Sequence, residues 1–158
     1  MSFDEIYIKY KQQIFRLCMG YTNDIDSAKD MVQETFIIVW KNLDRFRNES
    51  SHGTWIYRIA VNNCLRHIEK EKKFEKSDMP KVIAEEIYDD KFDDKVKFLY
   101  KCISELNESE RIIISLVLEA MPQSQIASII GLSEVNVRVR IHRIKEKLAN
   151  KFKTNEQF

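Results

Sequence analysis

The chain has 158 residues, 32% of them charged and 44% hydrophobic, with a formal net charge of +1, which suits a soluble, folded protein of one or two small domains. Only three glycines and two prolines occur, so long helices are expected and a β-sandwich is excluded. The longest apolar run, residues 36–40, is far too short to cross a bilayer, and three widely spaced cysteines read as buried thiols of a reducing, cytoplasmic compartment rather than as a disulfide framework.

Ser2 and Glu5 have capping-box spacing at the start of a first helix. Phe3, Ile6, Tyr7, Tyr10, Ile14, Leu17, Cys18 and Tyr21 then keep helical periodicity as far as Gly20. Asp24 and Asp26 offer N-caps for a second helix, whose core stripe is Ala28, Met31, Val32, Thr35, Phe36, Val39 and Leu43. Asp30, Gln33, Glu34, Ile37 and Lys41 fall on its other side, with Trp40 at the margin. Periodicity alone leaves that side open, as a solvated face or a docking face.

Residues 44–53 are a polar break, and Thr54 leads a third helix to about Lys73. Its core side holds Ile56, Ile59, Ala60, Cys64 and Ile68, while Arg58, Asn62, Arg66, Glu69, Lys70 and Lys73 lie opposite. Gly53 would let the loop backbone approach a base closely. Trp55 and Tyr57 stand at the junction. Aromatics beside a polar loop and a basic helix suit single-stranded nucleic acid, where bases stack and phosphates meet cations; each ring taken alone is equally well a core residue.

Residues 74–94 carry Pro80, a dense acidic run and weak periodicity, which reads as a flexible linker that cannot order itself alone. Extended, about 20 residues span up to ~70 Å, enough to hold two domains well apart. Helical spacing returns with Val96, Leu99, Ile103 and Leu106, and a second capping pair, Asn107 and Glu110, precedes Ile112, Ile113, Leu116 and Val117. Pro122 is expected to end that helix. With Gly20, Gly53, Pro80 and Gly131, it is read as one of five boundary marks.

Residues 123–148, QSQIASIIGLSEVNVRVRIHRIKEKL, are the most informative stretch. An uncharged helix with Ile126, Ala127 and Ile130 stops at Gly131, which reaches a left-handed backbone at little cost. Leu132 tucks under the corner and Ser133 caps a second helix. Val137, Ile141, Ile144 and Leu148 form its buried stripe, while Val135, Arg138, Val139, His142 and Arg143 gather opposite, at about 100° per residue. Two short helices around a glycine corner, the second basic outside, describe a helix-turn-helix with its recognition helix. The net charge is +2 over residues 1–73, −5 over 74–122 and +4 over 123–158. That basic end is an electrostatic footprint for phosphates.

The pattern DMVQETFIIVWKNLDRF followed by TWIYRIAVNNCLRHIEKEKK resembles region 2 of the sigma factors of bacterial RNA polymerase. ISELNESERIIISLVLEAMPQSQIASIIGLSEVNVRVRIHRIKEKL resembles their region 4. With these two blocks and a short linker, the chain resembles the extracytoplasmic function (ECF) group of the sigma-70 family. The resemblance implies an all-α fold of two small helical domains, 1–73 and 95–153, joined by a flexible acidic linker at 74–94, with the helix-turn-helix in the second. It implies a partner in core RNA polymerase, through its beta and beta-prime subunits, met by Asp30, Gln33, Glu34, Phe36 and Trp40. It further implies capture of the downstream (−10) promoter element by Arg47, Asn48, Ser50, His52, Arg58, Asn62 and Arg66. Asn136, Arg138, Val139, Arg140, His142 and Arg143 match positions facing the upstream (−35) element. Promoter DNA and an anti-sigma factor complete the expected partners. Val135, Asn136 and Val139 depart from the residues common in the family, and Val139 suits a thymine methyl.

Two other classes compete with that reading. A stand-alone helix-turn-helix regulator would dimerise on paired half-sites, and no apolar face is set aside for a second copy. An enzyme would need chemistry that the residues do not assemble. Cys64 and His67 have C-x-x-H spacing, but one pair does not complete a four-ligand zinc site, and no phosphate loop or nucleophile elbow occurs. No cofactor is expected.

Overall fold

The computed structural model describes residues 1–75 and 93–156, and the side chains of 1–67 and 93–154. Every described regular element is helical. Helix α1 (Phe3–Thr22) opens on Ser2, whose hydroxyl accepts from the Glu5 amide at 3.3 Å while Glu5 accepts from the Ser2 amide at 3.1 Å. This reciprocal pair satisfies two donors that would otherwise have no partner. The helix closes on Asn23, left-handed at φ 52°, rather than at Gly20. Helix α2 (Ile25–Asn42) starts on an Asp24 cap and runs into a 3-10 turn, Leu43–Arg45. Helix α3 (His52–Glu75) begins two residues before Thr54, because the Ser51 hydroxyl accepts the Thr54 amide at 3.1 Å.

Residues 74 and 75 therefore end α3, and Asp93 caps α4 (Asp94–Ser104). The rest of the expected linker, 76–92 with Pro80, lies outside the described residues. Helix α5 (Glu108–Leu118) starts on the reciprocal Asn107–Glu110 cap. It is not ended by Pro122: it closes at Glu119, Ala120 takes φ 58°, and Pro122 occupies the N-cap position of α6 (Gln123–Ile130). That place suits proline, since φ is fixed near the value needed and no amide is required. Gly131 then caps α6 at φ 82°, its amide donating to Ala127 at 2.8 Å. Ser133 accepts from the Asn136 amide at 3.1 Å and α7 (Glu134–Glu156) begins.

Helices α1, α2 and α3 pack on one another, and α5, α6 and α7 do the same around Ile113, Leu116, Ile126, Val137, Ile141 and Ile144. The two groups are not held apart. Helix α1 lies against α4 and α5, and α3 lies against α6, so one continuous buried cluster runs through both. The two expected helical domains therefore lie packed against each other across this seam. Polar contacts among the described residues stitch the seam. Arg16 donates to both carboxylate oxygens of Glu119 at 2.6 and 2.8 Å, and Arg111 donates to the Tyr21 carbonyl at 2.8 Å. Gln125 donates to the Thr54 hydroxyl at 2.7 Å and Arg58 to the Ser128 hydroxyl at 2.5 Å.

Candidate nucleic-acid and protein interfaces

Helix α2 divides its residues cleanly. Ala28, Met31, Thr35, Phe36 and Val39 are buried, while Asp30, Gln33, Glu34, Ile37, Trp40 and Lys41 are exposed. Trp40 is 65% exposed, an unusual position for so large an apolar ring. Phe36 is 3% exposed. It does not present its ring to solvent but forms a wall with Phe3 and Tyr7, edge-on to both at 6.5 and 5.0 Å between centroids. Around it opens a groove of about 740 Å³ lined by Phe3, Tyr7, Val32, Gln33, Ile37 and Trp40. The α1 side of this groove is not expected from the sequence. Helical periodicity puts Tyr7 in the core, yet it is 40% exposed because its ring leans over α2. An apolar trough with acidic Asp30 and Glu34 on the same helix suits a partner helix carrying apolar and basic side chains.

The second surface follows the turn after α2. Arg47, Asn48 and Glu49 are exposed, and Asn48 is left-handed at φ 56°. The loop is braced by three rings: Phe46 lies 4.4 Å from His52 and 4.8 Å from Trp55, between centroids. Trp55 therefore supports the loop while Tyr57 is buried in the core, its hydroxyl donating to Gln13 at 3.0 Å. Gly53 does not offer the loop backbone to a base. Instead it is buried in the first turn of α3, where a Cβ would stand 3.1 Å from the Tyr10 hydroxyl. Asn62 and Arg66 lie one turn apart on the exposed side of α3, and Arg58 begins the same stripe. Arg58, however, is engaged by Ser128. Ser50 and His52 are half-buried.

Directly behind Asn62, Asn63 points the other way. It is 5% exposed and donates to Thr35 at 3.0 Å; Thr35, wholly buried, donates to the Met31 carbonyl at 2.7 Å. This buried pair ties α3 to α2 behind the two exposed faces.

The third surface is the outer side of α7. Val135, Arg138, Val139, His142 and Arg143 are all exposed, with Val139 at 43%. Arg140 leaves this group, because it donates to Asn136 at 2.8 Å and to Ser109 at 3.3 Å, tying α7 to the start of α5. Lys147 donates to Glu110 at 2.7 Å and so is held beside α5. His142 is paired with Glu146 at 3.1 Å. The face open to a groove edge is thus two arginines, a histidine and two valines.

Cys18 and Cys64 are fully buried side by side between α1 and α3, and their contact together with burial pushes the Cys64 thiol well up. Among the described residues no three His, Cys, Asp or Glu gather as a metal site, and no helix is long and apolar enough to cross a membrane.

Known proteins match both halves of this arrangement. Residues 6–74 match the model of Sigma-70 region 2 and residues 99–148 that of Sigma-70, region 4. The chain is 37% identical to the RNA polymerase sigma-H factor of Pseudomonas aeruginosa over 67 residues, 42% of this chain but 35% of that protein. It is 29% identical over 165 residues to the ECF RNA polymerase sigma-E factor of Salmonella typhimurium, covering 95% of this chain and 86% of the other. Among solved structures, the sigma factor RpoE bound to the anti-sigma factor NepR from Bartonella quintana has the same fold, with a TM-score of 0.82, 20% identity and 96% of both chains covered.

Proposed function

The chain belongs to the sigma-70 family as an ECF sigma factor, which initiates transcription with RNA polymerase, and we propose that its three surfaces divide that work. Helix α2 presents Asp30, Gln33, Glu34 and Trp40 to core polymerase, with Phe36 shaping the groove floor. The loop at 47–51, with Asn62, Arg58 and Arg66, takes the downstream promoter element. Arg138, Val139, His142 and Arg143 on α7 take the upstream one, with Asn136 and Arg140 flanking them. The segments 1–73 and 95–153 act as the two functional units, with 74–94 between them. The work takes place in the cytoplasm, where polymerase and DNA are, and an anti-sigma factor restrains it. The likeness to RpoE of Bartonella quintana, solved in complex with the anti-sigma factor NepR, supports that last point.

One observation carries this division: the buried Thr35–Asn63 bond couples the docking helix to the helix that carries Asn62. Binding of α2 to polymerase would then place the exposed α3 stripe at a fixed angle to the promoter. Recognition and not bond-making chemistry is the task. A base leaves the stack only if a pocket replaces a few kcal/mol of stacking, and the Asn62 amide offers both a donor and an acceptor to a base edge. Reconstitution with core polymerase and genomic DNA, followed by mapping of transcript starts, tests the reading. Starts that cluster behind one shared pair of elements are expected. Starts no different from those of core alone would overturn it.

A further inference from the structure

We propose that the recognition helix reads its upstream element through thymine methyl groups, with Val135 and Val139 as the residues that meet them. This rests on the assignment of α7 to the upstream element made above. Val135 is 65% exposed and Val139 43%, although both are apolar and β-branched. They stand one turn apart on α7, which brings their side chains to about 6 Å from each other. A DNA strand advances about 3.4 Å per base, so the pair spans about two base steps. At about 100° per residue the two valines lie between Arg138 on one side and Arg143 on the other. The N-terminal residues of an inserted recognition helix meet base edges, and both valines belong to the first two turns of α7.

Polar side chains beside them are engaged elsewhere. Asn136 would need both its amide oxygen and its amide nitrogen to take adenine bidentately. Its oxygen instead accepts from Arg140 at 2.8 Å, and Arg140 also donates to Ser109 at 3.3 Å. His142 Nε2 lies 3.1 Å from the Glu146 carboxylate. Arg138 remains to donate to a guanine next to the valines. The valines are also rigid: β-branching holds a helical valine in one χ1 rotamer in about 90% of cases, so little side-chain freedom is lost on contact. Thymine is the base that offers an apolar group in the major groove, its C5 methyl. Valine against that methyl leaves no hydrogen bond unmade. Against the amine of cytosine or adenine it would strip water from a donor and supply no acceptor.

The full chain is titrated against a duplex carrying the upstream element found at mapped transcript starts, with anisotropy at fixed salt as the readout. Each thymine is replaced singly by deoxyuridine, which removes the C5 methyl and keeps the pairing edge. The wild type is expected to lose about threefold to fourfold at each of two thymines within two base steps of one another, as suits one buried methyl, and to be indifferent at the others. Val135→Ala and Val139→Ala, which keep a good helix former in place, should each weaken binding to the thymine duplex by a similar factor. Each should also abolish the uracil penalty at one of the two positions. An element without two thymines so spaced overturns the proposal. So does a wild type that prefers the element over scrambled duplex yet binds every uracil duplex equally well; that result leaves α7 in the groove. Uracil penalties that persist in both alanine variants overturn the role of the valines. If the wild type shows no preference for the element and Arg138→Ala changes nothing, the assignment of α7 itself is wrong, and methyl reading falls with it.

Discussion

Replacing Thr35 with valine tests how the two faces of region 2 are held together. Valine has the same shape and the same β-branching, so helix propensity and packing volume barely change. What disappears is the oxygen that accepts from Asn63, leaving that amide buried with no acceptor. An orphaned buried donor costs about 1–3 kcal/mol, while the added methyl recovers at most about 0.8 kcal/mol. The loss therefore wins, by roughly 0.2–2 kcal/mol. With a urea m-value of about 2 kcal/mol/M the midpoint should fall by roughly 0.1–1 M, and Tm by up to about 8 °C. Removing both partners, in Thr35→Val/Asn63→Leu, abolishes the orphan and should recover most of the loss. Urea titration followed by circular dichroism measures all three proteins. A single variant as stable as wild type, or a double variant worse than the single, would refute the coupling of α2 to α3 through this bond.

Reversing charge at Asp30 and Glu34 should weaken co-purification with core polymerase without lowering helicity, and unchanged pull-down sinks the docking face. Arg138→Ala should cost about 1–3 kcal/mol at a matched upstream site if its fork is bidentate to guanine, whereas exposed Lys145→Ala should weaken binding alike on every sequence; competition with scrambled duplexes separates the two. Asn62→Ala should spare core binding but reduce the permanganate reactivity of thymines in the open complex, and full melting would return Asn62 to the role of a solvated helix residue. Cys18, Cys64 and Cys102 are all buried, contact with Cys18 together with burial raises the Cys64 thiol, and burial raises that of Cys102, so none should react quickly with a thiol reagent at neutral pH. A native chain that titrates at the unfolded rate would contradict this core.

The helical elements were legible because their ends are written in local chemistry. Ser2 with Glu5 and Asn107 with Glu110 name two helix starts by reciprocal bonds three residues apart. Gly131 and Ser133 name the helix-turn-helix corner in the same local way. The outer face of α7 followed from angle alone; Arg140, which came with the resemblance and not with the angle, leans away from it. That residue sits close enough to the buried stripe for its long side chain to reach Ser109. Pro122 and Gly20 do not end their helices, for a common reason. Proline marks a start as readily as a stop, and a glycine inside a helix looks like a break until the neighbour pressed against it is known.

What stayed illegible is the seam, and the reason is physical. Its partners are 70 to 103 residues apart in the chain: Arg58 with Ser128, Gln125 with Thr54, Arg16 with Glu119. An arginine that will meet a serine across such a gap has the same neighbours in sequence as one that meets water. Periodicity detects burial of apolar stripes, and these partners are polar. The absence of charge in α6 was the one trace of a helix packed between α3 and α7.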